Sequence, residues 1–175
     1  MNKRRWTLAE LNAMDRDTFT RVLGPVFEHS PWIAEAAWNS RPFDGIDTLH
    51  AALCNMVVQS GQAKQLALLQ AHPDLVGNAA TAGGFALTPA SAQEQAHAGL
   101  DRLHASEIET FQKFNQQYRE RFGFPFIVCA RLNRKESILT AFPIRLMNDR
   151  DCEIQAALDE IAKIARLRLE DLVQI

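Results

Sequence analysis

Only one stretch of the chain reads as extended: Phe124-Pro125-Phe126-Ile127-Val128-Cys129-Ala130, a short apolar run after the breaker Gly123. A single strand with no hairpin partner makes no sheet, so the fold class is all-α. The rest of the sequence is punctuated as helices. Thr7-Leu8-Ala9-Glu10 and Ser106-Glu107-Ile108-Glu109 each place a hydroxyl at an N-cap and a Glu three residues on. Asp15 caps a second helix through Phe19, Val22 and Leu23, which Gly24-Pro25 ends. Ser30-Pro31 and Thr88-Pro89 pair a cap with a proline at the first helical position. A segment opening at Asp47 reaches Val58, a further helix after Ser60-Gly61 runs to about Ala71, and the last covers Asp151 to about Val173. The expected architecture is a single-domain helical bundle over residues 1–175, with eight to nine helices and one short extended segment at 124–130. In the 137–147 segment, Pro143 is expected to kink or break the helix.

Bulk properties narrow the function classes. At 175 residues the chain is long enough for one domain with a real core. Its net charge of −2 lacks the basic face of an electrostatic nucleic-acid binder. Cys54, Cys129 and Cys152 are odd in number, scattered and set in apolar stretches, which suggests buried thiols in a reducing compartment. No apolar run approaches the ~20 residues that span a bilayer. Lys3-Arg4-Arg5 is followed by Trp6-Thr7-Leu8-Ala9-Glu10, which is no signal core. The expectation is a cytoplasmic protein without membrane or nucleic-acid partners.

Two stretches do not fit a plain bundle. One is the glycine-rich connection from His72 to Leu87, since long unstructured loops in compact domains are usually functional or disordered. Its Gly77–Phe85 portion has little apolar surface to bury and is expected to be mobile without ligand and ordered by it. The other is the 124–130 run, whose backbone N–H and C=O groups need partners from a helix end, water or a ligand.

Four groups of side chains carry chemistry. On the last helix, at ~100° per residue, Ile154, Ala157, Ile161, Ala165 and Leu169 form an apolar arc that also contains Arg168. A buried arginine is either half of a structural ion pair or an inward-facing anion receptor, and its planar fork suits carboxylate. On the helix beginning at Pro89, Ala92, Ala96, Leu100 and Leu103 form the apolar side, while Ser91, Glu94, Gln95 and Ala98 stack opposite. That second face is either solvated or a reader of a ligand rich in N–H and C=O groups. His72 precedes Pro73, which disfavours α geometry and puts the imidazole at a fixed corner, suited to moving protons or to satisfying the last helix carbonyls. Glu94-Gln95-Ala96-His97 is half of a di-iron signature, but no second Glu-x-x-His exists, so no metal is expected. A non-catalytic ligand-binding bundle remains the alternative to an enzyme.

In combination, four ordered motifs point further. Ala71-His72-Pro73-Asp74-Leu75, Ser91-x-x-Glu94-Gln95, Phe111-x-x-Phe114-Asn115-x-x-Tyr118-x-x-x-Phe122-Gly123-Phe124-Pro125-Phe126-Ile127, and Glu160-Ile161-x-Lys163-Ile164-Ala165-x-x-Arg168-Leu169 together resemble the 2-oxo-4-hydroxy-4-carboxy-5-ureidoimidazoline (OHCU) decarboxylase family. The resemblance runs end to end and is strongest over 71–172. It implies cofactor-free, stereospecific decarboxylation of a small ureidoimidazoline to (S)-allantoin in urate breakdown, and a homodimeric assembly. It also implies catalytic roles for His72, Glu94 and Arg168. Substrate contacts would come from Pro73, Ser91 and Gln95, and from the backbone of Phe126, Ile127, Val128, Cys129 and Ala130.

Overall fold

The computed structural model describes residues 4–77 and 87–174. Among them are nine α-helices and no sheet; the β-type pairing is one isolated parallel bridge between Trp6 and Val173. The all-α expectation therefore holds. The helices group into two compact units, Met1–Leu68 with Ala162–Ile175, and Leu69–Ile161. Apart from Gly77, the Gly77–Phe85 loop for which mobility is expected lies outside the described residues.

The first unit holds α1 (Leu8–Ala13), α2 (Arg16–Leu23), α3 (Trp32–Ala37), α4 (Ile46–Gln59), most of α5 (Gln62–Gln70) and the end of α9 (Arg150–Leu172). Thr7 and Glu10 complete the predicted capping box, with the Thr7 N–H donating to Glu10 Oε2 at 2.8 Å and the Glu10 N–H to Thr7 Oγ1 at 3.2 Å. Asp15 caps α2 by accepting the Thr18 N–H at 2.8 Å. Helix α3 packs against both α2 and α4. Its Ile33, Ala34 and Ala37 bury themselves with Phe19, Leu49 and Leu53. The Trp6 N–H donates to the Leu172 carbonyl at 2.8 Å, and the Gln174 N–H returns to the Trp6 carbonyl at 2.8 Å.

The second unit holds the end of α5, α6 (Pro89–His97), α7 (Ala105–Phe122), α8 (Lys135–Arg145) and α9 up to Ile161. Helix α7 starts earlier than the sequence suggests. His104 is its N-cap and the Glu107 carboxylate takes the His104 N–H at 2.8 Å, so the expected Ser106–Glu109 box lies within the helix. Lys135 holds Glu107 from α8 at 2.7 Å, which fixes that return contact. Gly123, in the left-handed region at φ +80°, stops α7. Helix α8 is not broken at Pro143 but continues to Arg145, and the Leu146 N–H still reaches the Phe142 carbonyl at 2.9 Å. Pro143 sits near the exposed end of the helix, where losing one internal bond matters least.

An aromatic core fills this unit. Tyr118 packs on Phe122, Phe124 and Phe126, and Phe126 stacks on Phe142 with ring centroids 3.9 Å apart. Within it lies an ionic cluster, with Arg145 Nε donating to Glu153 at 2.7 Å and Asn148 Nδ2 donating to the same carboxylate at 2.8 Å. Tyr118 also donates its hydroxyl to Glu153. Burial, the main cause, pushes the Tyr118 hydroxyl well above its ordinary pKa and keeps it a donor.

Candidate active site

Helix α5 ends at Gln70, and the His72 N–H makes a tight turn onto the Leu69 carbonyl at 3.2 Å. Pro73 then forces the chain out of the helix, leaving His72 buried at this corner with only 6% exposure. The backbone that follows is held by side chains from two helices. Gln95 of α6 accepts the Val76 N–H at 3.0 Å and donates to the Asp74 carbonyl at 3.3 Å. Asn115 of α7 donates to the Leu75 carbonyl at 2.7 Å. Arg119, one turn further along α7, donates through Nε to both Asp74 carboxylate oxygens at 2.8 and 3.0 Å.

Helix α6 starts as its sequence directs. The Thr88 hydroxyl accepts the Ser91 N–H at 3.2 Å and Pro89 occupies the first helical position. Which face turns inward differs from the simple hydrophobic pattern. Ala92 and Ala96, expected on the buried side, are exposed, whereas Ser91 and Ala98 are buried and Glu94 and Gln95 are half-buried. The polar face is therefore the packed one. Two physical facts account for this: the helix ends at His97, and Gly99 at φ +81° redirects the chain before Leu100 and Leu103 can extend the apolar stripe.

Helix α6 packs against the 3-10 turn Ala130–Leu132 that closes the extended run. The backbone of that run finds side-chain partners instead of a ladder. Arg145 Nη1 donates to the Ile127 carbonyl at 2.6 Å, and its guanidinium lies over the Phe126 ring at 4.5 Å. Glu160 Oε2 accepts the Cys129 N–H at 2.7 Å, and Asn133 Nδ2 donates to the Cys129 carbonyl at 3.0 Å. Burial raises the Cys129 thiol pKa, and the negative charges of Glu160 and Glu94 raise it further. These effects favour the neutral thiol at Cys129 over the reactive thiolate.

The structure therefore brings the corner after His72, the polar face of α6 and the 126–130 run together in the second unit. Arg168 belongs to the first unit. It is buried at 8% exposure and donates from Nη1 to Glu28 Oε2 at 2.8 Å, with the Pro25 and Val26 carbonyls each at 3.4 Å. Glu28 is itself only 2% exposed, so the structural ion pair is present. Sequence reasoning did not single out Glu28, Arg119, Arg145 or Glu160 for any task. Asp74, Asn115 and Glu160 did stand inside the quoted motifs, which was the available signal. Among the described residues, no three His, Cys, Asp or Glu side chains cluster as a metal site requires, and no helix is long and apolar enough to cross a membrane.

Comparison with known proteins identifies the family. The OHCU decarboxylase family model matches residues 12–170. The 2-oxo-4-hydroxy-4-carboxy-5-ureidoimidazoline decarboxylase of Halalkalicoccus jeotgali is 44% identical, over 96% of this chain and 92% of that protein. The enzyme of the same name from Haloferax volcanii is 43% identical, over 94% of this chain and 95% of its own. The crystal structure of an (S)-allantoin synthase superposes with a TM-score of 0.76 at 29% identity. That match covers 95% of this chain and 54% of the longer one. The chain belongs to the OHCU decarboxylase family.

Proposed function

We infer that this chain is a carboxy-lyase that decarboxylates OHCU to (S)-allantoin in urate degradation, with residues 1–175 acting as one functional domain. The observation that carries the assignment of the site is the inward-facing polar side of α6, packed against the turn that closes the 126–130 run. A helix that buries Ser91 and half-buries Glu94 and Gln95 while exposing two alanines is built around polar recognition rather than core formation.

The chemistry needs one proton carrier and a fixed ring face. The substrate bears a hydroxyl and a carboxylate on one ring carbon, next to the carbon that carries the ureido group. His72 takes the hydroxyl proton and the C–CO₂ bond breaks with release of CO₂. The electron pair of that bond forms a double bond to the ureido-bearing carbon while that carbon's C=N pair passes to the ring nitrogen, which takes a proton from solvent, leaving an enolate. The oxygen becomes a carbonyl as a proton returns to the ureido-bearing carbon, and delivery to one face gives the S product. His72 is suited to both transfers, because imidazole exchanges protons near neutral pH and the corner after α5 fixes its position. Glu94 holds the ureido and ring N–H groups together with the second lone pair of Gln95 Oε1, which also accepts the Val76 N–H, with Ser91 and Pro73 against the ligand. Backbone groups of Phe126–Ala130 take the remaining ring polar atoms. The Ile127 carbonyl and both Cys129 backbone groups already have protein partners, so the ring is read by the other groups of the run. Arg168 neutralises substrate or enolate charge, an assignment supported by the resemblance alone. No cofactor is invoked, since the ring holds the electrons. We place the protein in the cytoplasm as a homodimer.

Substituting His72 with Asn keeps the size and a hydrogen-bonding group but removes the titrating nitrogen. H72N is expected to lower kcat by at least ~100-fold, the scale of general acid–base catalysis. Wild-type turnover by a folded H72N protein would contradict the reading.

A further inference from the structure

The residue that ends the His72 corner is backbone-strained. Val76 has φ +58°, in the left-handed region, where a β-branched side chain is an outlier. Such a conformation persists only where the surroundings over-determine it. Here every residue from Asp74 to Val76 is gripped by a helix side chain. Arg119 holds the Asp74 carboxylate, Gln95 the Asp74 carbonyl and the Val76 N–H, and Asn115 the Leu75 carbonyl. Asn115 and Arg119 stand one turn apart on one face of α7, a helix whose opposite role is to build the aromatic core. Asn115 is 7% exposed, and among the described residues its Oδ1 has no partner, so half of its amide is buried at a cost. Its other half makes the 2.7 Å bond to Leu75.

We propose that Asn115 and Arg119 are positioning residues for the decarboxylation: they clamp Asp74–Val76 in a strained conformation and thereby fix His72 in its reactive placement. The proposal rests on the proposed role of His72. It implies a specific coupling. Valine at 76 reaches the left-handed region only while the clamp holds it, whereas glycine enters that region without steric cost. Removing the clamp should therefore release the corner in the native sequence and release it less when residue 76 is glycine.

The test compares steady-state kinetics of the full-length wild type, N115L, N115L/V76G, R119Q and H72N. N115L is nearly isosteric and also removes the orphaned oxygen. A misplacement of about 1 Å at a reacting group costs on the order of 100-fold, so N115L should lose ~10–100-fold in kcat with KM within ~threefold. V76G in the N115L background should restore kcat by at least ~fivefold, a rescue that a merely structural asparagine would not show. R119Q, altering a side chain that is one-third exposed, should reproduce the kcat loss without loss of fold, and decides the matter should N115L not fold. Normal kcat in N115L and R119Q, or a loss that V76G fails to relieve, with H72N inactive, would overturn the clamp alone. An active H72N would overturn the site reading and the clamp with it.

Discussion

Arg168 shows how a single residue joins sequence to energetics. Its position inside an apolar arc flagged it as a buried charge, and the structure supplies the partner required, Glu28, 140 positions earlier in the chain. Nothing local marks Glu28, because pairing at that separation is set by packing and not by periodicity. Breaking a buried ion pair from one side leaves an uncompensated charge and typically costs about 3–5 kcal/mol, whereas replacing both partners with apolar groups is often neutral. Accordingly R168M should lower unfolding stability by about 3–5 kcal/mol, and R168M/E28L should recover most of that loss. Urea denaturation of the three proteins measures it. Equal losses in the single and double variants would mean that the pair is not what Arg168 contributes. The residues around His72 repeat the lesson: Asp74 and Asn115 are visible in sequence motifs, but the bonds Asp74–Arg119 and Leu75–Asn115 span 45 and 40 positions.

At the scale of elements, the caps of α1, α2 and α6 were legible because each is a contact between residues three apart. Two element-level features were not. Helix α7 draws its N-terminal contact from Glu107, three residues after the His104 N-cap, and the same carboxylate pairs with Lys135 of α8. Helix α6 inverts its expected faces because it is too short for two alanines to define a core stripe. The caps also set a pH dependence. Backbone N–H donation holds the Glu10, Asp15 and Asp149 carboxyls below their ordinary values, and Lys135 together with the His104 N–H does so for Glu107. A carboxyl whose folded pKa is depressed contributes stability that is fully present above the unfolded value and is lost as pH falls through the folded value. Those unfolded values are 4.5 for Glu and 3.8 for Asp. Thermal midpoints should therefore fall as pH drops below about 4, and D15N/E107Q should show a shallower fall than wild type. Identical acid slopes would exclude these caps as the cause.

For the molecule as a whole, the all-α class followed from one unpaired extended run, and that run proved to be supported by Arg145, Glu160 and Asn133 instead of a sheet. Its need for side-chain partners was legible; their identities were not, because Glu160 lies 31 positions from Cys129. The same run, the His72 corner and α6 are the parts that the proposed mechanism uses, and the family match from residue 12 to 170 spans all of them. Stereospecific decarboxylation is read most directly through the chirality of the product. Circular dichroism should follow a reaction in which OHCU is generated in situ, with and without this protein. With the protein present, OHCU is expected to decay faster, and an optically active allantoin signal of the S enantiomer to accumulate and persist. Slow decay at the uncatalysed rate to racemic allantoin, with no lasting dichroic signal, would mean that the protein does not catalyse this decarboxylation.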